Sequence, residues 1–418
     1  MQLLEEGHIQ SYTYFPEIRI QRGILRIPLS ADAAICFPTQ HISKIKMKKI
    51  AIIGDLPIWE PSENPVPDAG AWHYCVWLSA LAAALSEQKI FDIHWIIATK
   101  SIRERRVIEA RNQTFHIVPK SRLSIGQMTG YVYDTLVIQS ELSRIKPDLV
   151  HSWGTENSYS YSASYFKGKK LLSVQGLLKA YAVRARLARF ERVQALYEPA
   201  TIRRFSHITT ESPWASDRVK EIFPAANPLH LEYAVEERFH SAQRNLSLQP
   251  TCLYAGTNTP IKNLPTLIEV FSDPALAHVQ LLLAGVMPEE FPNLPPNICP
   301  LGRLNREAMV HQLSQAWTLV HPSLADTGPT IAKEARVMGL PVMLTSACGS
   351  QQHVEEGKSG FIVEPTDISA MKEAVLRMTD SAETALSMGR HGQEECRQKL
   401  SAGTMIETLL GIYRKILW

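Results

Sequence analysis

Paired cysteines and long apolar runs are both missing from this 418-residue sequence. Its six cysteines are scattered, and no two of them form a Cys-X-X-Cys pair. This pattern excludes a zinc knuckle, a dithiol redox motif and a disulfide framework, and it is typical of a protein kept in a reducing cytoplasm. The apolar run "VWLSALAAAL", residues 76–85, is too short to span a bilayer, so we expect no transmembrane segment.

A strong excess of charge is missing as well. The chain has 44 basic and 41 acidic residues, which gives a formal net charge of +3. This small charge argues against attraction of the whole molecule to nucleic acid, and we expect no nucleic-acid partner. A hydrophobic content of 45% with 20% charged residues is ordinary for a soluble globular protein, and the length favours two domains.

The first 46 residues differ from the rest because they show no sustained hydrophobic period. By contrast, "MKKIAIIGDLP", which begins at Met47, is typical of a buried parallel strand followed by a turn. We interpret residues 1–46 as an N-terminal extension of uncertain status. It is either an upstream addition, with Met47 as the natural first residue, or an added strand or arm.

Short apolar runs alternate with helical stretches through the rest of the chain. The runs are "KIAIIG", "IHWIIAT", "DLVHSW", "KLLSVQG" and "HITTES", and then "TCLYAGT", "VQLLLAG", "NICPLG", "WTLVHPS", "PVMLTS" and "GFIVEP". This rhythm predicts an α/β fold with two doubly wound, Rossmann-like domains and a ligand cleft between them. We place these domains at residues 47–235 and 251–400, a linker at 236–250 and a C-terminal amphipathic helix at 401–418.

The stretch "SLADTGPTIAKEARVMGLPV", residues 323–342, places Asp326 and Glu334 on either side of a predicted helix start. Pro329 suits the first helical position, and Gly339 suits a left-handed end. One interpretation is that Asp326 only stabilises the helix, since the helix dipole favours an anion ahead of the first turn. The other is that the free amides of the first turn bind an anion.

Several loops that follow strands of the second half would lie on the same edge of a doubly wound sheet. The candidate binding residues in these loops are Gly256, Lys262, Arg303, Thr327, Gly328, Pro329 and Thr330. A glycine permits close backbone approach, a lysine supplies a point charge, and a helix start supplies amides. Together these features predict a diphosphate pocket. Taken by itself, Lys262 is also compatible with an ordinary lysine exposed to solvent on the surface.

These segments resemble the retaining glycosyltransferases of family 4, which have the GT-B fold. The family signature of two glutamates separated by seven residues is matched by Asp326 and Glu334. "YAGTNTPIKNLPTLIEVF" resembles the phosphate loop of the family, and "GKSGFIVEPTDISAMKEAV" resembles its ending. The resemblance implies a cytoplasmic hexosyltransferase that moves a sugar, with retention, from a nucleoside-diphosphate sugar to a glycan or lipid-linked acceptor in cell-surface polysaccharide synthesis.

The resemblance also implies roles for individual residues. Glu334 would hold the ribose, Lys262 and the amides near Gly328 would face the diphosphate, and Asp326 would approach the donor sugar. Asp326, Lys262 and His151 are the catalytic candidates, although His151 also fits a strand-end core residue. We expect no cofactor and no metal, because the sequence has no Asp-X-Asp pair to anchor one and no Gly-X-Gly-X-X-Gly loop after its first strand.

Three positions depart from the family pattern. Asp326 replaces the usual glutamate, Thr257 stands where the phosphate loop often has arginine, and Trp153 stands where relatives often have a histidine. In the later "SVQGL", Gln175 also stands where others have a histidine. The alternative hypotheses are therefore a catalytically weakened GT-B scaffold or sugar-binding protein, or a nucleotide-sugar epimerase or phosphorylase on the same fold.

A basic segment lies between residues 167 and 204, where only Glu191 and Glu198 are acidic. Its basic residues are Lys167, Lys169, Lys170, Lys179, Arg184, Arg186, Arg189, Arg192, Arg203 and Arg204. The segment is either a solvated helix face or an interfacial surface that recognises anionic lipid or a lipid-linked acceptor, with RNA binding as a third alternative. In the second case the protein would lie at the inner face of the membrane.

Overall fold

The computed structural model describes residues 47–56 and 76–418 of the chain. The predicted extension at residues 1–46 lies outside the described residues. Residues 47–418 form one compact unit, and two separate β-sheets lie within it.

The first sheet has eight strands in the order β3-β4-β2-β1-β5-β6-β7-β8. Its strands are β1 (Lys48–Ile53), β2 (Phe91–Thr99), β3 (Arg106–Ala110), β4 (Gln113–Pro119), β5 (Leu149–Trp153), β6 (Lys169–Ser173), β7 (His207–Thr210) and β8 (Leu229–His230). All pairs are parallel except β3 with β4. The β3–β4 hairpin turns through Arg111 and Asn112, which both have positive φ.

Helices cover both faces of this sheet, as the alternation of apolar runs predicts. They are α1 (Val76–Glu87), α2 (Leu123–Met128), α3 (Val132–Ile145), α4 (Ser158–Ala163), α5 (Leu178–Arg184), α6 (Arg189–Arg203) and α7 (Pro213–Ile222). The sheet buries one apolar cluster against α1 and another against α3 and α4. The central strands β1 and β5 are accordingly apolar over most of their length.

The second sheet has six strands, all parallel, in the order β11-β10-β9-β12-β13-β14. They are β9 (Thr251–Ala255), β10 (Gln280–Ala284), β11 (Ile298–Gly302), β12 (Thr318–His321), β13 (Val342–Thr345) and β14 (Gly360–Val363). The remaining helices are α8 (Glu237–His240), α9 (Leu264–Phe271), α10 (Arg306–Gln315), α11 (Thr330–Met338), α12 (Ile368–Met378), α13 (Ala382–Arg390), α14 (Gln393–Lys399) and α15 (Ala402–Leu417). The prediction of two doubly wound parallel-sheet halves is thus confirmed.

The segment between the sheets packs tightly on the second half. Phe239 is fully buried in the core of that half. The guanidinium of Arg244 donates to the carbonyl of Ala316 at 2.6 Å and also to the carbonyl of Gly339. These two carbonyls belong to the residues that end α10 and α11, so Arg244 fixes the connecting segment to the second half.

The C-terminal helix α15 returns to the first half of the chain. It packs against α1, and Leu409 and Tyr413 are fully buried in the core of the first sheet. The amphipathic pattern predicted a helix here, and the structure shows which half it covers. The return of α15 gives the two halves a second covalent connection besides the segment at 236–250.

Candidate functional site

A cavity of about 920 Å³ lies between the carboxyl ends of the two sheets, where ligands of doubly wound folds bind. From the first half it is lined by Trp153, Glu156, Gln175, Tyr181 and Glu211, among others. From the second half it is lined by Lys262, Asp326, Thr327, Gly328, Pro329 and Thr330. The structure thus brings together six of the residues predicted from the sequence.

Lys262 and Asp326 meet at the floor of this cavity. Lys262 lies in the turn after β9, and Asp326 lies in the loop after the neighbouring strand β12. Lys262 Nζ is 2.5 Å from Asp326 Oδ2, and His321 Nε2 is 3.3 Å from the same oxygen. Burial alone would raise the pKa of Asp326, but the charges of Lys262 and His321 hold it well below its usual range. Asp326 is therefore an anion at neutral pH.

The loop at residues 326–330 is held by both halves of the molecule. From the first half, the hydroxyl of Ser212 donates to the carbonyl of Thr327 at 2.6 Å, and the hydroxyl of Thr327 donates to the carbonyl of Gln175. The amide of Thr327 donates to the Tyr181 hydroxyl at 3.3 Å. From the second half, the amide of Gly349 donates to the carbonyl of Asp326 at 2.8 Å. These bonds fix the backbone that precedes the helix start.

Helix α11 begins at Thr330, one residue later than predicted, and Pro329 occupies the capping position. Its end at Gly339, with φ of 79°, confirms the predicted left-handed termination. Ala335 and Met338 of this helix are buried in the core of the second half. Thr330, the first residue of α11, lines the cavity, so the helix start lies beside it.

Glu334 has a different environment from Asp326. It is 1% exposed and does not line the cavity. Its Oε1 is 2.5 Å from Arg306 Nη2, and Arg306 Nε also donates to Glu236 at 2.7 Å. Burial raises the pKa of Glu334, while Arg306 opposes this shift. The structure therefore places an arginine against the carboxylate for which the resemblance implies a ribose contact.

Two of the predicted loop residues lie outside the cavity lining. The amide of Gly256 donates to the carbonyl of Ala284 at 3.0 Å, so that amide is already bonded. Arg303 is exposed in the loop between β11 and α10. Neither residue joins the cluster that Lys262 and Asp326 form.

The prediction of His151 as a catalytic residue needs correction. His151 is fully buried in β5 and does not line the cavity. Its Nδ1 is 2.7 Å from the Tyr413 hydroxyl and its Nε2 is 2.7 Å from the Ser173 hydroxyl. Burial lowers its pKa to about 3, so the ring is neutral. His151 is a core residue that ties α15 to the first sheet, as the alternative interpretation stated.

Sequence reasoning missed two carboxylates of the cavity, Glu156 and Glu211. Burial raises the pKa of each to about 7. The Glu211 side chain lies against Gly328, since a Cβ built on Gly328 would be 2.5 Å from Glu211 Cδ. Glu156 follows β5 and Glu211 follows β7 of the first sheet. Their positions just after apolar strands are the sequence feature that could have identified them.

A buried ion cluster beside the cavity joins the two halves. Lys333 is 1% exposed, and its Nζ is 2.5 Å from Glu211 Oε2 and 2.7 Å from Glu232 Oε1. His353 Nε2 is 3.2 Å from Glu232 Oε2. The two glutamates belong to the first half, and Lys333 and His353 belong to the second. A buried lysine needs such partners, because removing one member of the cluster leaves an uncompensated buried charge between the halves.

The cavity thus combines a lysine and a helix start on the wall of the second half with carboxylates, two lysines, an amide and aromatic rings on the wall of the first half. Such an arrangement suits a ligand with a phosphate group and several hydroxyls. Within residues 47–56 and 76–418 there is no group of three or more His, Cys, Asp or Glu side chains that could hold a metal ion.

The comparisons with known proteins agree with this geometry. Residues 236–395 match the family model of the group 1 glycosyl transferases. Over 98 residues the chain is 26% identical to the capsular polysaccharide biosynthesis glycosyltransferase CapM of Staphylococcus aureus. The matched stretch covers 23% of this chain and 26% of CapM. The chain spans 22% to 55% of the length of the curated relatives it matches.

Two solved structures show the same fold over most of the chain. A sucrose-phosphate synthase from Thermosynechococcus elongatus has a TM-score of 0.72 at 18% identity, covering 88% of this chain and 99% of that one. HepE of Anabaena, solved with UDP and glucose, has a TM-score of 0.62 at 12% identity, covering 88% of this chain and all of that one. At these identities the likeness concerns the fold, and it confirms GT-B.

Proposed function

We propose that this protein transfers a sugar from a nucleoside-diphosphate sugar with retention of configuration. The premise is that residues 236–395 form a group 1 glycosyltransferase domain in an enzyme of the GT-B fold. The acceptor is a glycan or a lipid-linked saccharide of cell-surface polysaccharide synthesis. The observation that carries the proposal is the pair of Lys262 and Asp326 beside the start of α11, inside the cavity between the halves.

The second half binds the donor in this account. Lys262 and the first-turn amides of α11 face the diphosphate, and Asp326 accepts hydrogen bonds from the donor sugar. Glu334 holds the ribose, and Arg306 keeps its carboxylate ionised and oriented. HepE, a protein of the same fold, has been solved with UDP-glucose, which supports a uridine donor as the first to test.

The first half binds the acceptor. Trp153, Glu156 and Gln175 line its wall of the cavity. The indole N–H of Trp153 and the amide nitrogen of Gln175 are buried and have no hydrogen-bond partner within the described part of the chain, so an acceptor hydroxyl reaches them only if this wall of the cavity shifts. The relation to CapM supports an acceptor in polysaccharide synthesis.

The chemistry follows from this placement. An acceptor oxygen forms a bond to the anomeric carbon on the face from which the diphosphate leaves, and the bond between that carbon and the phosphate oxygen breaks. The acceptor proton moves to the leaving phosphate oxygen. The protein contributes by orienting both substrates and by stabilising the charge that develops on the diphosphate through Lys262 and the amides. No metal or cofactor takes part.

A second candidate is a weakened enzyme that acts as a sugar-binding scaffold. Thr257 and Trp153 favour it, because they replace an arginine and a histidine that the resemblance leads one to expect. An epimerase or a phosphorylase on the same fold remains the other alternative. The scaffold binds a nucleotide sugar without consuming it, and the other enzymes give products other than a transferred glycoside.

A two-stage experiment separates these candidates. A thermal-shift panel of UDP, GDP, ADP and their sugars selects the donor, since a ligand at 100 times its dissociation constant stabilises by about 2.7 kcal/mol. The selected donor is then incubated with the protein in EDTA, and release of the nucleoside diphosphate is followed. We expect binding and slow release without added metal. Binding without release favours the scaffold, and release only after addition of a divalent cation contradicts the metal-free mechanism.

The location proposed with this function is the cytoplasm, at the inner face of an anionic membrane. No helix in residues 47–56 and 76–418 is long and apolar enough to cross a bilayer. Support for peripheral contact comes from the exposed arginines of α5 and α6.

A further inference from the structure

A second cavity, of about 430 Å³, lies at the amino ends of strands of the first sheet. His207, where β7 begins, and Leu229, where β8 begins, line it. Its other walls come from the end of α6, the segment after α7 and the end of α15. Its volume is within the range of small-molecule sites. It shares no lining residue with the cavity between the halves, so the second cavity is a separate place in the fold.

The charged lining of the second cavity is basic. Arg203, His207 and Lys415 line it, and no aspartate or glutamate of the described residues does. Burial lowers the pKa of His207, and the nearby charges of Lys169 and Lys415 lower it further. Lys169 itself is engaged, since its Nζ donates to the carbonyl of Ile416 at 2.7 Å. Two fixed positive charges, those of Arg203 and Lys415, therefore face the second cavity without a carboxylate in its lining.

These basic side chains retain free hydrogen-bond donors. Arg203 Nη2 donates to the carbonyl of Ile222 at 3.1 Å, which holds the guanidinium in place and leaves its other N–H groups available. Within residues 47–56 and 76–418, the side chains of His207, Lys415 and Asn227 make no hydrogen bond or ion pair. The polar part of the lining thus presents donors from several side chains to one space, as an anion requires.

Much of the remaining lining is apolar. Phe205, Ala226 and Ile416 are buried, and Phe223 and Leu229 are half-buried. An inorganic ion that bound to the cations would leave this apolar surface in contact with water. A ligand that fills the second cavity therefore needs an anionic group and an apolar body together.

We propose that the second cavity is a binding site for a small soluble phosphate monoester with an apolar body. A guanidinium donates paired hydrogen bonds to phosphate oxygens, and an ammonium supplies a point charge. A phosphate monoester carries a charge of about −1.5 to −2 at pH 7, which matches the two fixed cations, whereas a carboxylate carries only one charge. The site goes beyond the proposed function, because it lies away from the cavity to which donor and acceptor are assigned.

Binding at this site would connect elements that are distant in the chain. Arg203 ends α6, and Lys415 lies in the last turns of α15. A phosphate that contacts both side chains ties the C-terminal helix to the first sheet. Because the unfolded chain does not hold these residues together, the ligand should raise the melting temperature.

The test is calorimetric titration of the full-length protein with 1-naphthyl phosphate as the probe. Inorganic phosphate, 1-naphthol and 1-naphthoate are the comparison ligands, which lack the apolar body, the anionic group and the second negative charge, respectively. We expect 1-naphthyl phosphate to bind at least tenfold more tightly than each of them. In the double variant R203M/K415M its affinity should fall at least tenfold.

Two variants serve as controls. Lys89 and Arg390 are exposed in other parts of the fold, so K89M/R390M removes the same charges away from the second cavity. K262M alters the cavity between the halves. Both controls should bind 1-naphthyl phosphate within twofold of the native protein. All variants should keep the native melting temperature without ligand, because the side chains removed at the second cavity are exposed.

Four results would overturn the proposal. They are no binding of 1-naphthyl phosphate, equal affinity for it and for any comparison ligand, equal effects of R203M/K415M and K89M/R390M, and a loss of binding in K262M as large as in R203M/K415M. The last result would place the probe in the cavity between the halves. Since nucleotide binding is measured separately, a failure of the second site is distinguishable from a failure of the proposed donor site.

Discussion

Lys262 Nζ lies 2.5 Å from Asp326 Oδ2, although the two residues are 64 positions apart in the chain. They meet because the strands that precede them, β9 and β12, are neighbours in the second sheet. The Lys262 side chain is 25% exposed and that of Asp326 is 11% exposed. A diphosphate that enters the cavity must therefore compete with Asp326 for the charge of Lys262.

The first prediction concerns the pair of Glu334 and Arg306. E334Q keeps the side-chain shape but weakens charge-assisted hydrogen bonds to ribose, each worth about 1.5–3 kcal/mol. Affinity for the nucleotide should fall at least tenfold by calorimetry, with or without the sugar. E307Q, which alters an exposed glutamate of α10, is the control and should bind normally. Unchanged affinity in E334Q would remove the ribose role.

The second prediction concerns pH and Glu156. Burial raises the pKa of Glu156 to about 7, from an ordinary value of 4.5. The folded state therefore binds a proton more tightly than the unfolded state, so this group's contribution to stability falls as the pH rises from about 4.5 to 7. In E156Q that dependence is absent. The melting temperature of E156Q relative to the native protein should therefore be higher at pH 7.5 than at pH 5, and a constant difference would contradict the raised pKa of Glu156.

The third prediction tests the buried cluster that joins the halves. K333M leaves Glu211 and Glu232 buried without their shared cation, which should cost about 3–5 kcal/mol in urea-induced unfolding. K358M removes an exposed lysine paired to Glu355 and should cost no more than about 1 kcal/mol. Equal losses in the two variants would show that Lys333 does not stabilise the approach of the halves.

The fourth prediction concerns Gly349, whose backbone packs against the loop at residues 326–330. A Cβ on Gly349 would lie 1.7 Å from the carbonyl oxygen of Thr327 and 2.3 Å from Ser212 Oγ. G349A should therefore displace the loop and lower donor turnover at least tenfold. G411A in α15 meets no atom within 4 Å and should stabilise the helix by about 0.5–1 kcal/mol with normal turnover. Normal turnover in G349A would mean that the loop position is unimportant.

The residues on loops after neighbouring strands were predictable from the sequence. The alternation of strands and helices predicts two parallel sheets, and the carboxyl ends of parallel strands share an edge. That reasoning placed Lys262, Asp326 and Gly328 together, and the structure brings them to one cavity. The same rule identifies Glu156 and Glu211, which follow β5 and β7 of the first sheet.

Contacts between distant segments were not predictable. His151 lies within β5, two residues before the strand ends, and the hydroxyl of Tyr413, 262 positions later, contacts its ring. The pairing of Arg306 with Glu334 likewise depends on how α10 and α11 pack. The β3–β4 hairpin was missed because its turn contains Arg111 and Asn112 in left-handed conformations, without the glycine that usually marks such a turn.

The most direct test of the account is calorimetric titration of the selected nucleoside diphosphate into three proteins: native, D326N and K262M. In the proposed function Lys262 faces the diphosphate and Asp326 faces the sugar, and in the structure Asp326 is paired with Lys262. D326N should therefore bind the bare diphosphate at least as tightly as the native protein, while turnover of the full donor falls. K262M should bind it at least tenfold more weakly. If D326N loses the bare diphosphate as badly as K262M does, the assignment of the two residues is wrong.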